Sequence, residues 1–190
     1  MKLIIRTDIE GVVLLEPRIF EDERGYFFEA FSEREFAEEV CNTHFVQENE
    51  ARSTYGVVRG LHFQLPPHAQ SKLVRVIKGR ILDIAVDIRR GSPTFGQHIA
   101  VELSDENRRQ IFIPRGFAHG YSVLSQEAIV EYKCDNYYAP ESEGGIAWDD
   151  ADLAIDWMVP ADEMKLSERD KHHPTLAACR ELFDYNDKLY

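Results

Sequence analysis

The chain has 190 residues, of which 44% are hydrophobic, and this length and composition are typical of one globular domain with a sizeable core. Its 22 basic and 34 acidic residues give a net charge of -12, which disfavours general nucleic-acid binding and docking on an anionic membrane. We therefore expect a small anionic ligand to be bound only in a local basic pocket.

The sequence predicts a single domain over residues 1–190, with a core barrel at about 45–138 and a tail at 141–190, because it contains no internal repeat, linker or long apolar run. The first six residues are too short and too soon charged to form a signal peptide, so we expect a cytoplasmic protein. Its three cysteines form no close pair in the sequence, which fits a reducing compartment and argues against a disulfide frame or a zinc cluster.

The N-terminal part mixes extended segments with one helix. Residues 12–17 form a short apolar run, and the aromatic residues 26–31 follow a polar turn and look strand-like. Ser32 is an N-cap candidate and Glu35 stands at capping-box spacing from it, so we predict a short helix over 32–40.

The stretch 56–77 places polar and charged residues in apolar surroundings and reads as two strands separated by a proline pair. Alternation puts His62 and Gln64 on one strand face. Gly60 lies between Arg59 and His62, and a bulge there is expected to aim both side chains at one cavity. A single strand histidine is more often structural than catalytic, so these residues alone leave the role of His62 open.

Regularly spaced short strands follow, which favours an antiparallel sandwich or barrel. Residues 80–88 alternate between aliphatic side chains and Asp83, Ala85 and Asp87, as expected of a half-buried strand. Further strands are predicted at 97–103, 110–113, 120–124 and 128–134. In the last of these, Tyr132 is predicted to point inward, either as a core filler with a bonded hydroxyl or toward a cavity. Beyond 141 the pattern loosens into a partly helical tail.

Residues 113–120, I-P-R-G-F-A-H-G, have the P-x-G-x-x-H spacing of the second cupin motif. Six further blocks are R-G-L-H-F-Q at 59–64, D-E-R-G-Y-F at 22–27, V-Q-E-N at 46–49, S-P-T-F-G at 92–96, Y-K-C-D-N-Y-Y at 132–138 and L-S-E-R-D at 166–170. With these blocks, and with their order along the chain, the sequence resembles the dTDP-4-dehydrorhamnose 3,5-epimerase family over nearly its whole length. The resemblance implies a mainly β fold, an antiparallel jelly-roll or cupin barrel with short helices near the N-terminus and in the tail.

The resemblance also implies the reaction. Family members invert the two carbons that flank the ketone of dTDP-4-dehydro-6-deoxy-D-glucose and give dTDP-4-dehydro-L-rhamnose, without a cofactor. Many cupins bind a metal through an H-x-H pair, but the corresponding residues here are His62, Phe63 and Gln64, so we expect no metal ligand set. The expected partners are a dTDP-linked 4-keto-6-deoxy sugar and a second copy of the chain in a homodimer, with no nucleic acid and no membrane.

Removing a proton from one sugar face and returning one to the other requires a base, an enolate stabiliser and an opposing acid. By resemblance, His62 is the base, and an imidazole with an ordinary pKa of about 6.5 is available at neutral pH. Lys72 would hold the enolate charge, and Asp170 would orient the histidine. Tyr132 matches the acid, because a phenol with an ordinary pKa of about 10 stays protonated.

The remaining family matches are assigned to substrate binding: Arg24, Glu29, Gln47, Asn49, Arg59, His119, Glu143 and Arg169. Guanidinium groups suit a diphosphate, which favours Arg24 and Arg59 for that role. Tyr26, Phe27 or Tyr138 is expected to stack on the thymine, and Asp83 to orient His119. The sequence departs from the family at Arg169, where lysine is common, and at Glu50-Ala51, where His-Ser is expected. Neither departure touches His62, Lys72 or Tyr132, so we expect them to alter ligand geometry and leave the chemistry intact.

Three alternatives stay open. A relative that inverts one carbon would keep His62 and Lys72 and alter the acid side, so Tyr132 favours double inversion. A metal-dependent cupin would recruit His62, His119 and a carboxylate. A sugar-nucleotide-binding cupin without activity would show no turnover.

Overall fold

The computed structural model describes residues 3–190, so the first two residues of the predicted domain lie outside the described part. Its strands are β1 (Leu3–Arg6), β2 (Val13–Glu16), β3 (Phe20–Asp22), β4 (Gly25–Phe27), β5 (Gln47–Thr54), β6 (Val58–Gln64), β7 (Lys72–Lys78), β8 (Arg80–Asp87), β9 (Arg89–Arg90), β10 (His98–Ser104), β11 (Gln110–Ile113), β12 (Phe117–Val123), β13 (Glu127–Cys134), β14 (Glu143–Gly145) and β15 (Phe183–Asp184). Within 3–190 there is one α-helix, α1 (Glu33–Glu39). The mainly β prediction is confirmed.

Two antiparallel sheets form the barrel. One has the strand order β1-β2-β11-β7-β13-β5 and the other β10-β8-β12-β6-β14. Side chains from both sheets, among them Val74, Val130, Ala85 and Tyr121, pack together in the space between them. The two sheets of a jelly-roll thus enclose one core, and a cavity between them takes side chains from both walls.

The strand β8 is buried on both faces, so the prediction of a half-buried strand is wrong. Ile84 and Val86 face away from the barrel interior and are covered by tail residues such as Leu153 and Trp157, while Asp83 on the opposite face is also fully buried. Alternation indicated which residues share a face, but it did not show that the tail would cover the outer one.

The helix and the aromatic segment before it pack against the outer face of the six-stranded sheet. The Ser32 hydroxyl accepts a bond from the Glu35 backbone N–H at 3.5 Å, which confirms the predicted N-cap. Phe36 is buried against Leu73 and Phe112, with Phe31 beside it. The predicted strand over 26–31 is only partly present, since β4 ends at Phe27 and Phe31 instead packs beneath the helix.

The tail is mostly irregular and carries short 3-10 turns at Pro140–Ser142, Ala161–Glu163 and Asp170–His172. It has no α-helix between residues 141 and 190. The last of these turns lies against β6, which brings the tail to the cavity described next. No helix among residues 3–190 is long and apolar enough to cross a membrane.

Candidate active site

A cavity of about 260 Å³ opens between the two sheets. The six-stranded sheet contributes Lys72 at the start of β7 and Tyr132 on β13, and the five-stranded sheet contributes His62 on β6 and His119 on β12. The histidine and the phenol therefore stand on opposite walls. A group bound between them is flanked by one titratable side chain from each sheet.

A bulge in β6 aims two side chains into this cavity, as predicted. Arg59 and His62 are three positions apart, whereas their partners Tyr121 and His119 on β12 are two apart. Gly60 supplies the extra residue with φ at +122°, and a Cβ there would meet the β12 backbone at 2.6 Å. Only glycine permits both the backbone angle and the close approach, so Gly60 is the reason why both side chains line one cavity.

The tail provides a carboxylate behind His62. Asp170 is 3% exposed, and its Oδ1 lies 2.7 Å from His62 Nε2, while its Oδ2 accepts from the Gly60 backbone N–H at 3.4 Å. Burial by itself raises the pKa of Asp170, but the hydrogen bond and charge of His62 outweigh it and hold that pKa below its usual value. Because an ionised carboxylate only accepts, the neutral form of His62 carries its proton on Nε2 and keeps the lone pair on Nδ1.

A second histidine–carboxylate pair lies deeper. His119 Nε2 is 2.9 Å from Asp83 Oδ2, so the expectation that Asp83 orients His119 is confirmed. Burial lowers the pKa of His119 despite the neighbouring carboxylate, which favours a neutral ring. A neutral imidazole oriented in this way donates or accepts a hydrogen bond without adding positive charge.

Desolvation shifts the pKa values of the other two polar groups in opposite directions. Desolvation lowers the pKa of Lys72, although the negative charges of Asp83 and Glu143 act to raise it. Desolvation also raises the pKa of Tyr132 to about 12. The Lys72 ammonium lies 5.9 Å from the centre of the Tyr132 ring. Burial thus works against the charge on Lys72, whereas it keeps the proton on the Tyr132 phenol.

Most of the predicted binding residues surround the same cavity: Gln47, Asn49, Arg59, His119, Glu143 and Arg169. Glu143 accepts from Arg169 at 2.5 Å and from the Tyr138 hydroxyl at 2.9 Å, which fixes one side of the mouth. The Gln47 amide N–H donates to the Asn49 side-chain oxygen at 3.1 Å. With Arg59, Lys72 and Arg169 on its wall, the cavity offers the kind of local basic pocket that a small anionic ligand of this acidic protein would need.

Two predicted binding residues are not brought to this cavity within the chain. Arg24 lies on the β3–β4 hairpin, pairs with Asp22 at 2.5 Å and has a side chain that is 85% exposed. Glu29 is also exposed and lies outside the cavity lining. Tyr26 and Phe27, two of the three residues predicted to stack on a base, share the hairpin, whereas Tyr138 lines the cavity.

The lining also includes residues to which the sequence assigned no binding role, among them Ala51, Gln70 and Tyr121. Alternation along β12 and β5 would have found Tyr121, two positions from His119, and Ala51, two from Asn49. Gln70 lies in the connection between β6 and β7, where no periodicity applies. Its side-chain amide donates to the Asn136 carbonyl at 2.7 Å.

Gln64, which stands where a cupin metal ligand was considered, has its amide fully engaged by backbone. It donates to the carbonyls of His68 at 2.7 Å and Tyr137 at 3.1 Å, and accepts from the Ala139 N–H at 2.9 Å. These bonds fix the loop around residues 137–139 to β6. The role that the structure gives Gln64 is therefore structural.

The chain matches the family model described as dTDP-4-dehydrorhamnose 3,5-epimerase over residues 6–178. It is 52% identical to the dTDP-4-dehydrorhamnose 3,5-epimerase of Methanothermobacter thermautotrophicus, over 88% of this chain and 91% of that protein.

Solved structures agree with this match. The dTDP-6-deoxy-D-glucose-3,5-epimerase of Legionella pneumophila, in complex with dTDP-4-keto-L-rhamnose, is 46% identical, with a TM-score of 0.93 and coverage of 98% of this chain and all of that one. A 3'-monoepimerase from Streptomyces bikiniensis, in complex with dTDP-quinovose, is 36% identical, with a TM-score of 0.82 and coverage of 90% and 86%. Enzymes that invert one carbon therefore share this fold.

Proposed function

Because the chain belongs to the dTDP-4-dehydrorhamnose 3,5-epimerase family, we propose that its cavity converts dTDP-4-dehydro-6-deoxy-D-glucose to dTDP-4-dehydro-L-rhamnose by two proton transfers. The protein is an isomerase. The observation that carries the proposal is the placement of His62 and Tyr132 on opposite walls of one cavity, since inversion needs a base on one sugar face and an acid on the other.

In this scheme His62 Nδ1 removes the proton next to the ketone, and Asp170 stabilises the imidazolium that results. The electrons move to the ketone oxygen, where the Lys72 ammonium stabilises the enolate charge. Tyr132 then donates its proton to the opposite face of the carbon. Before the next cycle, solvent reprotonates Tyr132 and takes up the proton from His62. The same cycle at the second flanking carbon completes the inversion. Protons and electrons balance in this scheme without a redox step or a cofactor.

The binding assignments extend the scheme. Arg59 and Arg169 carry the charge for a diphosphate, and Tyr138 at the cavity mouth offers a ring for the thymine. Gln47, Asn49, His119 and Glu143 supply the hydrogen-bonding groups for the sugar.

The experiment that tests the function is incubation of the 4-keto sugar nucleotide with the protein in deuterated water, followed by NMR of the ring protons. We expect deuterium at both carbons beside the ketone, together with the L-rhamno product, without added cofactor. Label at one carbon only would place the protein with the monoepimerases, and no label would contradict the epimerase assignment.

We also propose that the enzyme is a homodimer in which the β3–β4 hairpin of one copy reaches the cavity of the other. The hairpin presents Phe20, Tyr26 and Phe27, which are 51%, 54% and 70% exposed, beside Arg24. Adjacent exposed aromatic residues favour an interface, and a second copy would bring Arg24, which lies outside its own cavity lining, to the diphosphate.

Mixed dimers test this arrangement. His62→Asn and Arg24→Ala are each expected to be impaired, but a mixed dimer has one site with an intact base that receives an intact hairpin. Random mixing should therefore restore roughly a quarter of wild-type sites. Mixing His62→Asn with Tyr132→Phe, two residues of one cavity, should restore no inversion. Absence of recovery in the first mixture would show that Arg24 acts within its own chain or not at all.

The predicted cytoplasmic location is kept as part of the proposal. Cys41, Cys134 and Cys179 are all free thiols, which fits a reducing compartment. Detection of the protein in the soluble cytoplasmic fraction of its host would support the location, and recovery from an extracellular fraction would contradict it.

A further inference from the structure

The tail places a second imidazole against the His62–Asp170 pair. The His173 and His62 rings meet edge to face with their centres 5.7 Å apart. His173 Nε2 is 3.6 Å from Asp170 Oδ1, the oxygen that also accepts from His62. This Nε2 is buried and has no hydrogen-bond partner among the described residues. A buried nitrogen without a partner in the protein is available to bind a water or an ion.

Gly145 provides the space for His173. It lies on β14 directly opposite His62, and a Cβ at this position would overlap the His173 ring. The glycine therefore lets the tail bring an imidazole up to the carboxylate from the side of β14. The position of His173 depends on this backbone and is not that of a free surface side chain, since the side chain is 15% exposed.

One ligand atom each from His62, Asp170 and His173 lies within 4.8 Å of the others. Two imidazole nitrogens and one carboxylate oxygen form the donor set of catalytic zinc sites, which leave a fourth position for water. We propose that these three residues bind a divalent transition-metal ion of the zinc class. This ion inhibits the enzyme, and the reaction does not use it.

The local charges permit such a site. Metal binding uses the neutral form of an imidazole, and the buried His173 Nε2, which has no hydrogen-bond partner among the described residues, is the atom that would ligate. Arg169 is a neighbouring cation, with its Nε 4.0 Å from Asp170 Oδ1, but Glu143 binds its guanidinium at 2.5 Å. The Asp170 carboxylate supplies the negative charge that a divalent ion needs.

Inhibition follows from the tautomer of His62, and this part of the inference depends on the proposed function. In the metal-free site Nε2 carries the proton and Nδ1 has the lone pair that accepts the substrate proton. A metal on Nε2 moves that proton to Nδ1, which then has no lone pair. Because the ion binds on the side of Asp170 and away from the substrate, kcat should fall with little change in KM.

Binding is measured first with Co²⁺, whose visible absorption reports tetrahedral coordination, and with Zn²⁺ by calorimetry. His173→Gln should lose the Co²⁺ band and weaken Zn²⁺ binding by at least about 10- to 100-fold, the loss found for changes even in the second coordination shell. His172→Gln is the matched control, because His172 is the neighbouring exposed histidine and its ring bonds the Glu168 carbonyl instead of Asp170. His173→Cys, which keeps a ligand, should retain binding.

Kinetics then test inhibition. Zn²⁺ should lower the kcat of the wild type and of His172→Gln, a chelator should restore it, and His173→Gln should be active and resistant to Zn²⁺. Equal metal affinity in the wild type and in folded His173→Gln would overturn the site. Binding that needs His173 but leaves kcat unchanged would keep the site and contradict His62 as the base. Loss of activity on chelation, with recovery on adding metal, would overturn the inhibitory role.

Discussion

Asp170 and His62 are 108 positions apart in the chain, yet their side chains are joined by a 2.7 Å hydrogen bond in the wall of the cavity. One belongs to a 3-10 turn of the tail and the other to a central strand of the barrel. The same tail also covers the outer face of β8. The tail that covers β8 therefore also supplies the carboxylate that orients His62.

Replacing His62 by asparagine should abolish deuterium exchange at both carbons and leave dTDP affinity nearly unchanged, because the base serves the chemistry while arginines hold the nucleotide. Exchange is followed by NMR and affinity by calorimetry with dTDP. His68→Asn is the matched control, since His68 lies in the adjacent connection, bonds Ser142 Oγ at 2.9 Å and does not line the cavity. A defect confined to affinity would mean that His62 is only a ligand contact.

The alkaline limb of the pH–rate profile should belong to Lys72. Its pKa is lowered by desolvation, so the ammonium loses its charge below the ordinary lysine value of about 10.4, whereas Tyr132, with a pKa of about 12, stays protonated. Initial rates of exchange should fall in this range in the wild type and in Tyr132→Phe. In Lys72→Arg, the residual rate should lose this limb. If the alkaline limb disappeared in Tyr132→Phe, the limb would belong to the Tyr132 phenol instead of Lys72.

Asp87 should contribute to stability in a pH-dependent way. Burial raises its pKa, but bonds from Arg89, Ser92 and Thr94 outweigh this and lower it below the usual value of 3.8. A lowered carboxyl pKa adds stability that is present above pH 3.8 and is lost as pH falls through the folded value. Urea unfolding should show Asp87→Asn less stable at pH 5, with a gap that narrows toward pH 3. A gap independent of pH would contradict the ionised carboxylate.

Strand periodicity was enough to predict much of the barrel wall. The face shared by His62 and Gln64 and the bulge at Gly60 followed from alternation and from the backbone freedom of glycine. The Ser32 cap followed from local hydrogen bonding. These features depend on neighbours within a few residues, which is why the sequence alone reveals them.

Features that depend on distant chain segments were not predicted. The burial of both faces of β8 depends on where the tail packs, and the tail has no period. His173 gave no signal, because its position depends on the missing side chain of Gly145. Arg24 was assigned by its motif, yet a motif does not say in which copy of the chain a residue meets its ligand.

The most direct test of the account is the ratio of exchange to inversion in Tyr132→Phe. If His62 removes the proton from one wall and Lys72 stabilises the enolate charge, removal of the phenol from the wall opposite His62 should leave solvent deuterium entering while inversion slows by about 10²–10⁴-fold, the usual loss of a general acid. NMR and product analysis at each carbon give both rates. The account predicts exchange faster than inversion. Exchange and inversion that fall together by one factor would contradict it.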